Sequence, residues 1–249
     1  MADTTYEATE PQSQQCEALP PIRNLNANNE LPSYMSEVYD WAYVDPQKVD
    51  WLDRNIVVKT LLFGNDQRLM RRYLERIRPG TRVWQVAHVY GDLVSKVAQR
   101  VGAKGSFHLT DITPAQIAHA QRKIGHLPWA RVIRHDASHF QNDGKPYDLV
   151  CSFFLLHEVP EEWKQAVVNN MLAQVVPDGE VIFVDYHKPA WWQPIGYILR
   201  VVNHLLEPFA KALWEREISS YADNADQYNW DKRCIFGGVY QIVRVTRKA

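Results

Sequence analysis

The residues best suited to chemistry fall at the ends of short apolar runs. After TRVWQVA (81–87) comes His88-Val89-Tyr90-Gly91-Asp92, and Asp111 closes the next run, GSFHLTD, twenty residues beyond Gly91. At that spacing an acidic residue accepts hydrogen bonds from a ribose hydroxyl pair. Asp136 closes a third run, RVIRHD (131–136), where it can accept from an adenine amino group or from neighbouring backbone. Taken singly, each acid is equally well explained as the cap of a following helix. Two at successive run ends favour an adenosine site.

The first loop departs from a glycine-rich one. Such loops use several glycines so that backbone can approach the ligand. Here Gly91 remains, with Ala87 and Val89 where further glycines are expected, so β-carbons would crowd a pyrophosphate. A site for S-adenosylmethionine (SAM) tolerates this better because it cradles no phosphate, but the methionine end must be held differently. Gln85 stands where an acidic residue commonly orients that end, offering a neutral amide instead. The cofactor-binding candidates are therefore Gln85, Ala87, Val89, Gly91, Asp111 and Asp136.

A second constellation follows the fourth run, YDLVCSFF (147–154). His157 and Glu158 come directly after four apolar residues, Phe153-Phe154-Leu155-Leu156. Glu158 reads equally as a helix-start acid favoured by the dipole, and His157 as a satisfied core histidine. Functionally they form an acid/base or metal-binding pair. Asp185 and His187, past the fifth run, are expected to converge on the same crevice, a mixed oxygen/nitrogen set that suits Mn²⁺ or Mg²⁺. No spacing motif selects metal ligands, and they stay open.

The elements that must position these residues alternate. Apolar strands at 81–87, 105–111, 131–136, 147–154 and 180–186 are separated by helical segments, with a turn at Pro177-Asp178-Gly179 before the fifth strand. A hairpin about Gly237-Gly238 closes the chain. This pattern predicts an α/β fold, a doubly wound, mostly parallel seven-stranded sheet of Rossmann-like type with ligands at the carboxyl ends of the strands. Ahead of it, QKVDWLDRNIVVKTLLF (47–63) and 66–77 read as helices of an N-terminal helical lid. The expected division is a disordered polar arm over 1–30 and one domain over 31–249. Within the domain, 31–80 is the lid, 81–187 the SAM-binding core, 188–230 a helical insertion and 231–249 the terminal hairpin.

Composition narrows the class. With 28 basic and 29 acidic residues the net charge is −1, so no global field recruits nucleic acid. Three scattered cysteines exclude a disulfide framework. Glycine is scarce, 11 of 249, while nine Trp and twelve Tyr are present. No run reads as a targeting or membrane-spanning segment. Arg68, Arg71, Arg72, Arg76 and Arg78 read either as a solvated face or as a helix touching anionic headgroups. Trp191 and Trp192, with Ile195, Ile198, Leu199 and Val202, suit either a lipid–water interface or a lid packed on the sheet.

VWQVAHVYGDL, FHLTDITPAQ, HDAS and LLHEVPEEWK resemble class I SAM-dependent methyltransferases in their rhodoquinone-biosynthesis branch. The resemblance covers about residues 31–247, through SEVYDWAYVDP and LLFGN before the core and LEPFA, LWEREI and FGGVYQ after it. It implies conversion of ubiquinone to rhodoquinone, in which an amino group replaces a ring methoxy group. It also implies SAM as amino donor, with Mn²⁺ or another divalent metal assisting. A methoxyquinone is a vinylogous ester, open to addition of an amine and loss of methanol. Tyr90, His157 and Glu158 are the candidates for proton transfer, and the altered loop is expected to aim the SAM nitrogen at the quinone. A peripheral place on the cytoplasmic side of a bacterial inner membrane goes with a lipid quinone substrate, and a homo-oligomer is compatible with it. The competing expectations are an ordinary methyltransferase acting on a quinone or other aromatic, and a non-catalytic quinone-binding scaffold of the same fold.

Overall fold

The structure is a computed structural model and describes residues 31–32, 35, 52–205 and 209–248. The arm expected over 1–30 lies outside the described residues, as does most of 31–51. Two helices precede the sheet, α1 (Asn55–Leu61) and α2 (Asp66–Leu74). Leu69, Met70 and Tyr73 recur at helical spacing on α2 and are buried, while Arg68 and Arg71 stay exposed. The basic face is partly spent within the protein: Arg76, just past α2, pairs with Glu180, which Arg244 also contacts.

Seven strands form one sheet in the order β3-β2-β1-β4-β5-β7-β6. They are β1 (Arg82–Val86), β2 (Ser106–Asp111), β3 (Ala130–Arg134), β4 (Tyr147–Phe153), β5 (Val175–Tyr186), β6 (Tyr228–Ile235) and β7 (Tyr240–Arg247). The first five are parallel; β7 runs antiparallel between β5 and β6. The doubly wound, mostly parallel sheet expected from the alternation is thus present. The central strands are apolar on both faces because helices cover both: α2, α3 (Leu93–Val101) and α4 (Pro114–Ile124) on one side, α5 (Glu161–Ala173) and α7 (Ala212–Glu215) on the other. Strand order reverses between β1 and β4, so the loops leaving these two strands border one crevice.

Three boundaries differ from the sequence reading. In the helix expected over 47–63, Asp53 and Arg54 leave helical geometry, Arg54 being extended at ψ 128°, and α1 begins only at Asn55. Pro177-Asp178-Gly179 is not a turn ahead of β5 but lies within it: Tyr147 pairs with Val175, and pairing resumes at Leu149 with Glu180. The strand bulges to absorb the extra residues. Gly179 is required there, since a β-carbon would sit 2.7 Å from the Asp148 carbonyl oxygen. β6 begins at Tyr228, earlier than the expected hairpin, and its alternating exposure is that of an edge strand. Helix α6 (Ile195–Leu205) leaves Tyr197, Ile198 and Val201 exposed, beside exposed Trp191 and Trp192.

Two buried histidines make stability depend on acid. Burial, helped by the Arg82 charge, pushes the His108 imidazole down to about 4. Burial and the charges of Lys123 and His119 hold His88 well below the usual imidazole range. The unfolded chain protonates both near ~6.5, so it binds more protons than the folded one below that pH. Stability should therefore fall as the pH drops from about 6.5 toward about 4. In urea unfolding across that range, His108→Gln should flatten part of the slope; an unchanged slope would assign the loss elsewhere.

Candidate functional site

The chemistry-bearing residues gather where β1, β2, β3 and β4 end. A cavity of about 300 Å³ is lined by Ala87, Val89, Tyr90, Asp111, Asp136, His157 and Glu158, with Leu199 of α6 along another wall. Gln85 and Gly91 are not among its lining residues. Gln85 is fully buried in β1 and donates to the Ala87 carbonyl at 3.3 Å, bracing the loop from behind. Gly91, at φ 86°, turns the loop back; a β-carbon there would lie 3.2 Å from Asn55 Oδ1.

Ala87 is the unusual residue of the loop. Its φ is 71°, in the left-handed region where glycine is the ordinary occupant. The backbone of a glycine turn is therefore retained while the side chain is not glycine. Phe154, the first residue past β4, also holds a left-handed φ of 56° and lines the cavity. Strain of this kind persists only where surrounding structure enforces it.

Asp111 and Asp136 use one device. Asp111 Oδ1 accepts from Thr113 N at 2.8 Å and Thr113 Oγ1 at 2.7 Å, while Oδ2 accepts from His88 N at 2.9 Å. Asp136 Oδ1 accepts from Ser138 N at 2.8 Å and Ser138 Oγ at 2.6 Å. Each acid closes a turn at its strand exit, and each also faces the cavity. The capping and the ligand-facing readings are thus compatible, because a carboxylate oxygen accepts more than one hydrogen bond. Burial raises the Asp111 carboxyl above its ordinary value, against the hydrogen bonds from Thr113 and His88.

Across the cavity stands a histidine on a carboxylate. His157 Nδ1 lies 2.8 Å from Asp185 Oδ1, and its Nε2 lies 3.7 Å from Glu158 Oε1. Asp185 is buried at the end of β5 and also accepts from Leu156 N and Tyr186 N, both at 2.8 Å. With Nδ1 turned to this carboxylate, Nε2 is the ring nitrogen that faces Glu158. Tyr186 stacks edge-on against His157, with ring centroids 4.8 Å apart. Tyr90 Oη accepts from Gln116 Nε2 at 2.8 Å, and burial raises its phenol well above the ordinary value.

His187 does not join this group. Past β5 the chain turns toward the hairpin, so His187 Nδ1 donates to the Gly238 carbonyl at 3.0 Å and Nε2 accepts from Lys232 at 2.9 Å. Asp185, occupied by His157 and two backbone N–H groups, is not set up as a metal ligand either. Among the described residues, the group of donors suited to a divalent cation is Asp53, His88 and His119, whose ligand atoms lie within 4.8 Å of one another. One carboxylate and two imidazoles fit such an ion. Asp53 and His119 were not legible as a pair in the sequence, and only His88 carried a signal, by its place in the loop.

A family model described as a methyltransferase domain matches residues 83–179. A ubiquinone/menaquinone biosynthesis C-methyltransferase, UbiE, of Idiomarina loihiensis is 29% identical over 139 residues, 53% of this chain and 55% of that protein. The chain spans about half the length of the curated relatives it matches. An O-methyltransferase family protein from Burkholderia thailandensis superposes with a TM-score of 0.60 at 14% identity, over 82% of this chain and 61% of the other. The N-methyltransferase NodS of Bradyrhizobium japonicum, in complex with S-adenosyl-L-homocysteine, gives 0.52 at 14% identity over 75% and 88%. By its sheet order and these superpositions, the chain has the Rossmann-like fold of the class I SAM-dependent methyltransferases.

Proposed function

We propose that this protein uses SAM to replace a ring methoxy group of ubiquinone with an amino group, giving rhodoquinone. The observation that carries the reading is Ala87, which lines the cavity at φ 71° where a glycine is the ordinary occupant. Its β-carbon, with the Val89 side chain, fills space on the side where backbone would otherwise meet the methionine end of SAM. A displaced methionine end brings its amine, rather than the sulfonium methyl, toward the acceptor. The match to a quinone C-methyltransferase supports a quinone as that acceptor.

In this reading Asp111 and Asp136 orient the adenosine. His157, held by Asp185, takes the proton that nitrogen sheds on bonding to the ring carbon. Glu158 or Tyr90 delivers a proton to the departing methoxide, so that methanol leaves and the nitrogen bridges the ring to Cα of SAM. The Cα proton then goes to base while its electron pair reduces the quinone ring, and water hydrolyses the resulting imine, breaking the N–Cα bond to give the aminohydroquinone, the reduced form of rhodoquinone, and the 2-oxo acid left from SAM. Donors on the ring carbonyl stabilise the negative charge that develops there during addition. A divalent cation, where bound, supplies Lewis-acid charge, and Asp53, His88 and His119 are the residues that would hold it.

α6 supports a lipid substrate. Leu199 faces the cavity, while Tyr197, Ile198 and Val201 of the same helix are exposed apolar surface beside Trp191 and Trp192. Aromatic and aliphatic side chains so arranged suit a membrane interface, from which a quinone ring could pass along α6. Among the described residues no helix is long and apolar enough to cross a membrane.

A second reading, methyl transfer to a quinone ring carbon, is favoured by the same match. Product mass separates them: the purified protein is incubated with SAM, Mn²⁺ and a short-chain ubiquinone. Exchange of methoxy for amino is the expected result. Addition of a methyl group would establish the second reading, and an unchanged quinone would leave a binding scaffold.

A further inference from the structure

One buried polar cluster beside the cavity is not used by the proton transfers above. Asp53, ahead of α1, reaches both the loop after β1 and helix α4. Its Oδ1 accepts from Gly91 N at 2.9 Å and from Lys123 Nζ at 2.5 Å, and its Oδ2 lies 2.8 Å from His119 Nε2. Lys123 Nζ also donates to the Gly91 carbonyl at 2.7 Å and lies 3.5 Å from His88 Nε2. One ammonium is therefore ringed by a carboxylate oxygen, a peptide oxygen and an imidazole nitrogen, with a second imidazole adjoining.

We propose that Asp53, His88 and His119 bind a divalent transition cation that takes the place of the Lys123 ammonium. The donors are of the borderline type such ions prefer. They are also enclosed: side-chain exposure is 16% for Asp53 and 9% for His119, and His88 is 7% exposed. Arg122, exposed on α4, donates to His119 Nδ1 at 2.6 Å and must turn outward so that Nδ1 carries the proton when Nε2 binds. The ion would fasten the segment ahead of α1 to the cavity-lining loop through His88. The site does not depend on whether an amino or a methyl group is transferred.

Mn²⁺ alone, followed by the loss of its free paramagnetic resonance signal, tests this without turnover. Wild-type protein should take up Mn²⁺, and both His119→Ala and Asp53→Asn should weaken uptake at least about tenfold. Lys123→Met, which removes the competing charge, should tighten it. Absence of Mn²⁺ uptake, or equal uptake by wild type and both ligand variants, would overturn the site. Weaker binding by a folded Lys123→Met protein would overturn the exchange.

Discussion

His157→Ala is expected to lower turnover by about a hundredfold to ten-thousandfold, the range for a lost general acid–base. SAM affinity should change little, because the proposed reading gives the adenosine to Asp111 and Asp136. Asp185→Asn tests the carboxylate behind the imidazole. The amide cannot replace an anion that accepts from His157 Nδ1, Leu156 N and Tyr186 N. It would also place a donor against one of these donors. Turnover should fall by about a hundredfold or more, and removing the adjacent carboxylate should move the acidic limb of the rate profile to lower pH. A purely structural role for Asp185 would reduce stability and leave the pH profile in place. Full activity in His157→Ala would remove the histidine from the chemistry.

Restoring glycines at positions 87 and 89 carries the second large effect. Ala87 holds φ 71°, which costs an L side chain about 1–2 kcal/mol. Ala87→Gly alone relieves that cost, less glycine's larger unfolded-state entropy of about 0.5–1 kcal/mol, and should raise the melting temperature by up to about 4 °C. In the double variant, Ala87→Gly with Val89→Gly, the backbone path is kept and the two side chains that narrow the cavity are gone. SAM should bind as well or better, while amination should fall at least about tenfold because the nitrogen is no longer held at near-attack distance. Equal losses of binding and amination would mean that the loop merely completes the SAM site.

Much of this architecture is legible in the residues. The switch from helical to strand periodicity locates β1 to β5, and the acids that end β2 and β3 do face one cavity. What the sequence could not disclose is how each carboxylate divides its lone pairs. Asp111 and Asp136 are at once turn-closing and cavity-facing, and neither spacing nor residue type separates those roles. Asp185 and His187, expected past the fifth strand to converge on one crevice, part instead. The strand ends at Tyr186, and His187 N–H pairs with Val239 of the hairpin, which carries the ring to Lys232. Pro177-Asp178-Gly179 has the composition of a turn, yet a bulge accommodates it inside β5. The Asp53 cluster was hidden for a different reason. Its members come from three segments far apart in the chain, and a lone Asp ahead of α1 has no local pattern to mark it.

The central claim is that nitrogen, not a methyl group, passes from SAM to the quinone. SAM labelled with heavy nitrogen at its amino group, incubated with the protein, Mn²⁺ and a short-chain ubiquinone, tests it most directly. The account predicts an aminoquinone that carries the heavy nitrogen and has lost one methoxy group. An unlabelled aminoquinone, or a quinone that has gained a methyl group and kept both methoxy groups, would contradict it.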